Sequence, residues 1–342
     1  MSLREAFLRD IIEHPEDSVP RLIFADWLEE HGDEADQARA EFIRTQCTLS
    51  ELPLRDTKRT RLEGRELDLR TEWEVAWLAP LRERYADVLI RWDWRRGFLG
   101  FLGTEGVRIA ANAGLFQETP IEQLRVFNGS GLIGEICKTQ ALRFITILEL
   151  SLNTLSQKDV LALAESPFEG LQCVHANRCK LTHEKIRLLL GSSFLQKLET
   201  FSVSNNNIDA SCMSTLFTGP YLQHLRILDI RNNPLRNGVN ALISGTALQH
   251  MECLMLGNTE LSDCNLLNLS RAPHAKKLRL LNLDGNNVGL ESIRALLEAR
   301  EALPSLELLS VNTHGPIHLT TTYPASLQRA IDARGKAFKL ML

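Results

Sequence analysis

Leu225-Arg-Ile-Leu228-Asp-Ile230-Arg-Asn-Asn233-Pro-Leu235 is the stretch that decides the fold of this sequence. Apolar residues stand at its first, fourth, sixth and eleventh positions, and an asparagine stands at its ninth. The pattern recurs at intervals of 26 to 28 residues, in further units that start at Ile145, Leu171, Leu198, Met251, Leu278 and Leu306, with a degenerate unit at Ile121. Self-similarity at this period predicts stacked coils, each burying its apolar face against its neighbours.

The repeated positions alternate as a short strand requires. Because successive side chains of a strand point to opposite sides, positions four and six face inward, and positions five and seven face outward. At position nine the chain turns inward, where an asparagine amide can donate to and accept from backbone groups. This position is held by Asn153, Cys179, Asn206, Asn233, Thr259, Asn286 and His314. Cys179 and Thr259 are weaker substitutes, so we expect the asparagine ladder to be weakened at those two coils.

A helical pattern follows the strand in several units, at Asp159–Ala164, His183–Leu190, Val239–Ile243 and Leu290–Glu298. The repeated motif Leu-x-x-Leu-x-Leu-x-x-Asn-x-Leu resembles the leucine-rich-repeat family over roughly residues 105–320. One strand and one helix in 26–28 residues resemble its ribonuclease-inhibitor-like type. The resemblance implies an α/β solenoid of about seven to eight units, curved as a horseshoe with a parallel sheet inside and helices outside.

The region before the repeats is helical and differs in composition, since all five tryptophans lie within the first 94 residues. A Ser2-x-x-Glu5 capping box and later helix-stop signals predict four helices, over Leu3–Glu13, from Pro20 to just before Gly32, over Ala35–Leu52 and over Asp56–Tyr85. Residues 88–102 are expected to form a hairpin that covers the unpaired edge of the first repeat strand.

A second resemblance concerns these helices. Ala6–Asp17, Pro20–Gly32 and Arg39–Arg44 are similar to the helical repeat-companion module that precedes leucine-rich repeats in some bacterial proteins. Arg95-Arg-Gly-Phe98 resembles the segment that joins the module to the repeats, whereas Ile23-Phe24 departs from the usual Val-Tyr. The resemblance implies a bacterial origin and supplies no biochemical activity.

Four parts of the chain follow from these patterns. They are a helical repeat-companion domain over residues 1–87, a capping hairpin over 88–104, the repeats over 105–320 and a C-terminal cap over 321–342. A helix over about Ala325–Arg334 is expected to close the array at its C-terminal end.

Charge and composition narrow the class of partner. The chain has 39 basic and 43 acidic residues and lacks the basic stripe that nucleic acid requires. No segment approaches the ~18 consecutive apolar residues of a membrane span, and the first residues lack the apolar core of a secretory signal. Seven irregularly spaced cysteines predict reduced thiols instead of a disulfide framework. We therefore expect a cytoplasmic monomer that binds neither nucleic acid nor membrane.

Two motifs that could carry chemistry also fit the repeat. Gly129-x-Gly131-x-x-Gly134, with Glu149 further on, is typical of a dinucleotide-binding turn but falls in register with a strand–turn–helix unit. Zinc-type ligands also stand close together in the sequence, at Cys173, His175, Cys179 and His183. They lack the matched Cys-x₂₋₄-Cys pair of zinc sites, and both cysteines hold repeat positions. With no catalytic motif besides, we predict no enzyme, no cofactor and no metal.

The outward strand positions are the candidate binding residues. The nine predicted to bind a partner are Arg125, Glu149, His175, Asn177, Asp229, Arg231, Met255, Asn282 and Asp284. We predict a non-enzymatic scaffold that binds a protein partner on the concave face, whereas the plainer interpretation is an ordinary solvated sheet face. Analogy with other helix-backed repeat proteins also permits a regulator of a small GTPase or an inhibitor of a toxin or nuclease, and the glycine motif permits a nucleotide-binding enzyme subunit.

Overall fold

The computed structural model of this 342-residue chain describes residues 2–139, 142–217, 221–312, 329–331, 334 and 339–341. Two compact units make up the chain. The first comprises Met1–Glu149 with Pro167–Gly170, and the second comprises Leu150–Ser166 with Leu171–Leu342. No helix in the described ranges is both long and apolar enough to cross a membrane.

The first unit combines long helices with the beginning of a sheet. Its elements are α1 (Leu3–Glu13), α2 (Val19–His31), α3 (Glu34–Glu51), α4 (Lys58–Tyr85), β1 (Arg91–Arg95), β2 (Phe98–Glu105), α5 (Gly106–Ala111), β3 (Gln123–Phe127), α6 (Ile133–Cys137) and β4 (Ile147–Glu149). The predicted capping box is present, because Ser2 Oγ accepts from Glu5 N and the Glu5 carboxylate accepts from Ser2 N. The first four helices begin and end within two residues of the helical stretches predicted from the sequence.

A hairpin connects the helices to the repeats. β1 pairs antiparallel with β2, and β2 then pairs parallel with β3, so β2 occupies the edge of the first repeat strand. The turn needs Gly97, whose φ is +86° and whose added Cβ would lie 2.2 Å from Ile43 Cγ1. Phe98, which follows the turn, is buried among Ile11, Phe24 and their neighbours in the helical core.

A buried ion cluster links the helices, the hairpin and the first repeat within the first unit. Arg21 Nη2 on α2 donates to Glu122 Oε1 at 2.7 Å, and Arg96 Nη2 in the hairpin turn donates to Glu122 Oε2 at 2.9 Å. Arg21 is 0% exposed and Glu122 is 2% exposed. Burial raises the pKa of the Glu122 carboxyl, while the guanidinium groups of Arg96 and Arg21 act to lower it. We call Arg21, Arg96 and Glu122 the Glu122 cluster.

The second unit repeats one strand and one helix. Its elements are α7 (Gln157–Glu165), β5 (Cys173–His175), α8 (His183–Leu189), β6 (Thr200–Ser202), α9 (Ala210–Phe217), β7 (Ile227–Asp229), α10 (Val239–Ser244), β8 (Cys253–Met255), α11 (Asp263–Leu269), β9 (Leu280–Asn282), α12 (Leu290–Glu298), β10 (Leu308–Ser310) and β11 (Lys339–Met341). Each described strand pairs parallel with the next in chain order. Open parallel pairing of this kind, one strand per repeat, is the leucine-rich-repeat fold.

Burial of the repeat positions confirms the periodic pattern. In the units that begin between Ile145 and Leu306, the residues at positions one, four and six are all buried. Position nine is buried as well in every unit that the described ranges cover, whereas His314 lies outside them. The chain therefore has the α/β solenoid fold of leucine-rich repeats.

The asparagines at position nine tie neighbouring coils together. Asn206 Oδ1 accepts from Cys179 N and Leu181 N, both at 2.9 Å, while its Nδ2 donates to Ala176 O and Val203 O. Asn233 and Asn286 make the corresponding bonds one and three coils further on. The predicted ladder is thus present where asparagine is present.

Cys179 and Thr259 contribute less to this ladder, as the sequence predicts. The Cys179 thiol donates to Leu150 O at 3.2 Å and the Thr259 hydroxyl donates to Leu256 O. At the first of these coils Leu155 N, at position eleven of the preceding coil, donates to the carbonyl oxygen of Cys179. At the second, Leu235 N donates to Asn233 O of its own coil, and Arg236 N donates to the carbonyl oxygen of Thr259.

Most of the predicted C-terminal cap over 321–342, including much of its helix, lies outside the described residues. Arg334 donates from its guanidinium to the carbonyl oxygens of Leu296, Leu297 and Leu303, which follow or end α12. β11, which the sequence pattern did not predict, pairs parallel with β10. Among the described residues, therefore, β10 is covered by a further strand.

Candidate binding face of the repeat sheet

The nine candidate residues are divided between the two units. Arg125 on β3 and Glu149 on β4 belong to the first unit and the other seven belong to the second. Arg125 is exposed, and the other eight are half-buried. We call the outward side of β5–β10, with positions five and seven of each repeat, the sheet face.

The two residues of the first unit lie opposite each other in strand register. The Arg125 guanidinium lies 5.1 Å from the centroid of the Phe127 ring, and that of Arg91 lies 5.2 Å from the same ring. Both contacts are within the range of a cation–π interaction. Two arginines thus contact one aromatic side chain beside β3.

Asp229 and Arg231 form a bidentate ion pair at the middle of the sheet face. Arg231 Nε donates to Asp229 Oδ1 at 2.9 Å, and its Nη2 donates to Asp229 Oδ2 at 2.8 Å. The hydrogen bond to Asp229 raises the pKa of Arg231, and the charge of Asp284 acts in the same direction. On the next coil Gly257 leaves room for the Asn282 side chain, since a Cβ there would lie 2.7 Å from Asn282 Oδ1.

The side chains of Asn177 and Asp284 bind the backbone of the following coil, which strand alternation alone does not predict. Asn177 Oδ1 accepts from Ser204 N at 2.7 Å, and Asp284 Oδ1 accepts from Asn312 N at 2.7 Å. In both cases a side chain at position seven binds the backbone N–H of position seven on the following coil. Asn282 donates from its amide to Asp284, so it supports the same contact.

Met255 and His175 differ from these polar residues. Met255 lies between Asp229 and Asn282 in strand register, so it places an apolar side chain beside the ion pair. His175 Nε2 lies 3.2 Å from Cys173 Sγ on the same side of β5. Thioether side chains adapt to varied surfaces, which makes Met255 a suitable centre for a protein contact.

The glycine motif of the first unit has a packing role. A Cβ added at Gly106 would lie 2.7 Å from Gly129 Cα, so adjacent coils approach closely at this point. Gly131 has a φ of +78°, which favours glycine in the turn. The helix that follows, α6, is only five residues long. The geometry therefore favours the repeat turn over a dinucleotide site.

The four zinc-type residues of the sequence do not converge. Cys173 and His175 lie on the sheet face, Cys179 donates into the coil interior, and His183 begins α8. Within the described ranges, the ligand atoms of His183 lie close to those of Asp209 and Cys212 instead. Aligning the repeats could have revealed this group, because Asp209 and Cys212 flank the position equivalent to His183 on the next coil.

Comparison with known proteins identifies a sequence relative and a structural neighbour of this chain. No protein-family model matches the chain. Over 204 residues the chain is 30% identical to tubulin-specific chaperone E of Danio rerio, an alignment that covers 58% of this chain and 36% of that relative. The chain thus spans about a third of the length of the curated relative it matches. An internalin from Listeria monocytogenes aligns with 15% identity and a TM-score of 0.36, over 71% of this chain and 86% of that one. The fold assignment accordingly depends on the strand pairing and burial described above.

Proposed function

We propose that this chain is a non-enzymatic scaffold that binds a protein partner on the sheet face. The observation that carries the proposal is the mixture of half-buried groups on neighbouring strands at the centre of that face: Asp229, Arg231, Met255 and Asn282. Parallel strands place such side chains in rows about 4.8 Å apart, which suits the extended contact surface of a protein. Arginine and methionine are both enriched at protein interfaces.

The sequence relationship supports a protein partner as well. The curated relative is named as a chaperone specific for tubulin, which is a protein client. We propose the cytoplasm as the compartment, because seven irregularly spaced cysteines are typical of a protein kept in reducing surroundings. A GTPase regulator and a toxin or nuclease inhibitor depend on analogy alone, and the short α6 argues against a nucleotide-binding subunit.

The N-terminal helices are proposed to belong to the repeat-companion module, and the repeats to the ribonuclease-inhibitor-like type. The first proposal is supported by Phe98 and Gly97 of the joining segment, which pack against α2 and α3. The second is supported by the alternation of one strand with one helix through the second unit.

Asp229→Ala combined with Arg231→Ala should weaken partner binding at least tenfold while leaving the melting temperature nearly unchanged. Removing both partners leaves no unpaired charge, and neither side chain belongs to the buried core. The wild-type and variant chains would be used as baits in extracts of the native host, and calorimetry would then measure the affinity for the protein recovered.

The matched control is Glu291→Ala with Arg294→Ala, which removes an exposed ion pair from α12 on the helical side. This control should retain the partner. Retention by the sheet-face variant together with loss by the α12 variant would contradict the proposal.

A further inference from the structure

Three side chains with different ligand atoms converge on the helical side of the second unit. His183 is the first residue of α8, Asp209 precedes α9, and Cys212 lies in the first turn of α9. One ligand atom from each lies within 4.8 Å of the other two. Cys212 is buried, His183 is half-buried and Asp209 is exposed, so the group opens to solvent on one side.

The carboxylate of this group is already held in place. Asp209 Oδ1 accepts from Ser211 N at 2.9 Å and from Cys212 N at 3.0 Å. Helix capping accounts for these bonds to Asp209. It gives no reason for an imidazole and a thiol to meet the same carboxylate.

The imidazole of His183 has a partner that orients it. The Thr215 hydroxyl donates to Ser211 O at 2.8 Å, so toward His183 Nε2, which lies 3.3 Å away, it acts as the acceptor. In the neutral ring Nε2 then carries the proton, so Nδ1 is the nitrogen that would bind a metal. Hydrogen bonds of this kind orient histidine ligands in metal sites.

We propose that His183, Asp209 and Cys212 bind a zinc ion, with solvent as the fourth ligand. Sulfur and nitrogen ligands favour Zn²⁺ over Mg²⁺ and Ca²⁺, which prefer oxygen ligands. Zinc–ligand bonds are about 2.0–2.3 Å long, so the three ligand atoms, which lie within 4.8 Å of one another, would move closer together around the ion. The ion would join α8 to α9, and because the site is not on the sheet face it does not depend on the proposed function.

Binding replaces the proton of a thiol by the metal. The Cys212 S–H bond breaks, a Zn–S bond forms, and the proton passes to solvent. Zinc binds the thiolate, so one proton is released for each ion that binds.

Cobalt(II) and zinc(II) added to the purified full chain test the site. One equivalent of Co²⁺ should give a thiolate-to-cobalt charge-transfer band, and Zn²⁺ should displace it. Cys212→Ser should abolish the band, and His183→Gln should weaken Zn²⁺ binding at least tenfold in calorimetry. Cys173→Ser is the matched control, because Cys173 is beside another histidine at 3.2 Å, and it should leave both signals unchanged.

Circular dichroism of each variant checks that the fold is kept, and His183→Gln serves where the buried Cys212 substitution fails to fold. The site is overturned by a Co²⁺ spectrum without a thiolate band. It is equally overturned if Cys173→Ser removes the band, or if His183→Gln binds Zn²⁺ as tightly as the wild type.

Discussion

Replacing Glu122 by alanine should lower the free energy of unfolding by about 3–5 kcal/mol. The substitution leaves two guanidinium groups, those of Arg21 and Arg96, without the carboxylate that accepts from both. Arg21 is fully buried, so water cannot replace the lost partner without opening the packing around α2. An unpaired buried charge is among the most destabilising changes that a single substitution can make.

Urea unfolding followed by tryptophan fluorescence measures this effect in the right place, because all five tryptophans belong to the first unit. Glu41→Ala is the matched control. Glu41 also accepts two bonds from one arginine, Arg65, but the pair is exposed, so we expect a loss below about 1 kcal/mol. Equal losses for the two variants would show that burial of the Glu122 cluster contributes nothing.

The Glu122 cluster illustrates what sequence periodicity does not predict. The apolar positions were predictable because each coil meets the same environment, so seven copies of one pattern specify the same burial seven times. Arg21 and Glu122 are 101 residues apart and meet once, so no repetition marks their pairing. The pairing of β11 with β10 and the group of His183, Asp209 and Cys212 also join separate segments of the chain. Only the second could have been found in the sequence, by aligning the repeats.

The binding face shows the same limit at a finer scale. The nine candidates are all half-buried or exposed, as strand alternation predicts, whereas Ser202 and Ser204 at the same repeat positions are buried. Strand alternation did not predict that Asn177 and Asp284 bind the backbone of the following coil. The two-residue alternation along a strand specifies the side on which a side chain lies. Its hydrogen-bond partner depends instead on the spacing between coils. Asp229 and Arg231 are therefore better positions for testing binding than Asn177 or Asp284.

Asn206→Ala should lower the free energy of unfolding by about 3–5 kcal/mol, although it removes only a small polar group. The substitution leaves Cys179 N, Leu181 N and Ala176 O without the amide that binds them inside the coil. Val203 O keeps a bond from Asn233 Nδ2 and is not orphaned. Each buried backbone group that loses its partner costs about 1–3 kcal/mol, so three such groups account for the expected loss.

The neighbouring residue supplies the control for this prediction. Asn207 is exposed and lies in the same coil, so Asn207→Ala should change stability by less than about 0.5 kcal/mol. Denaturant unfolding followed by far-ultraviolet circular dichroism gives the total loss. Hydrogen exchange should show faster exchange at Cys179 and Leu181 in Asn206→Ala alone. Unchanged protection of these two amides would mean that solvent or a rearranged backbone replaces the Asn206 side chain, and that the ladder does not hold the coils together.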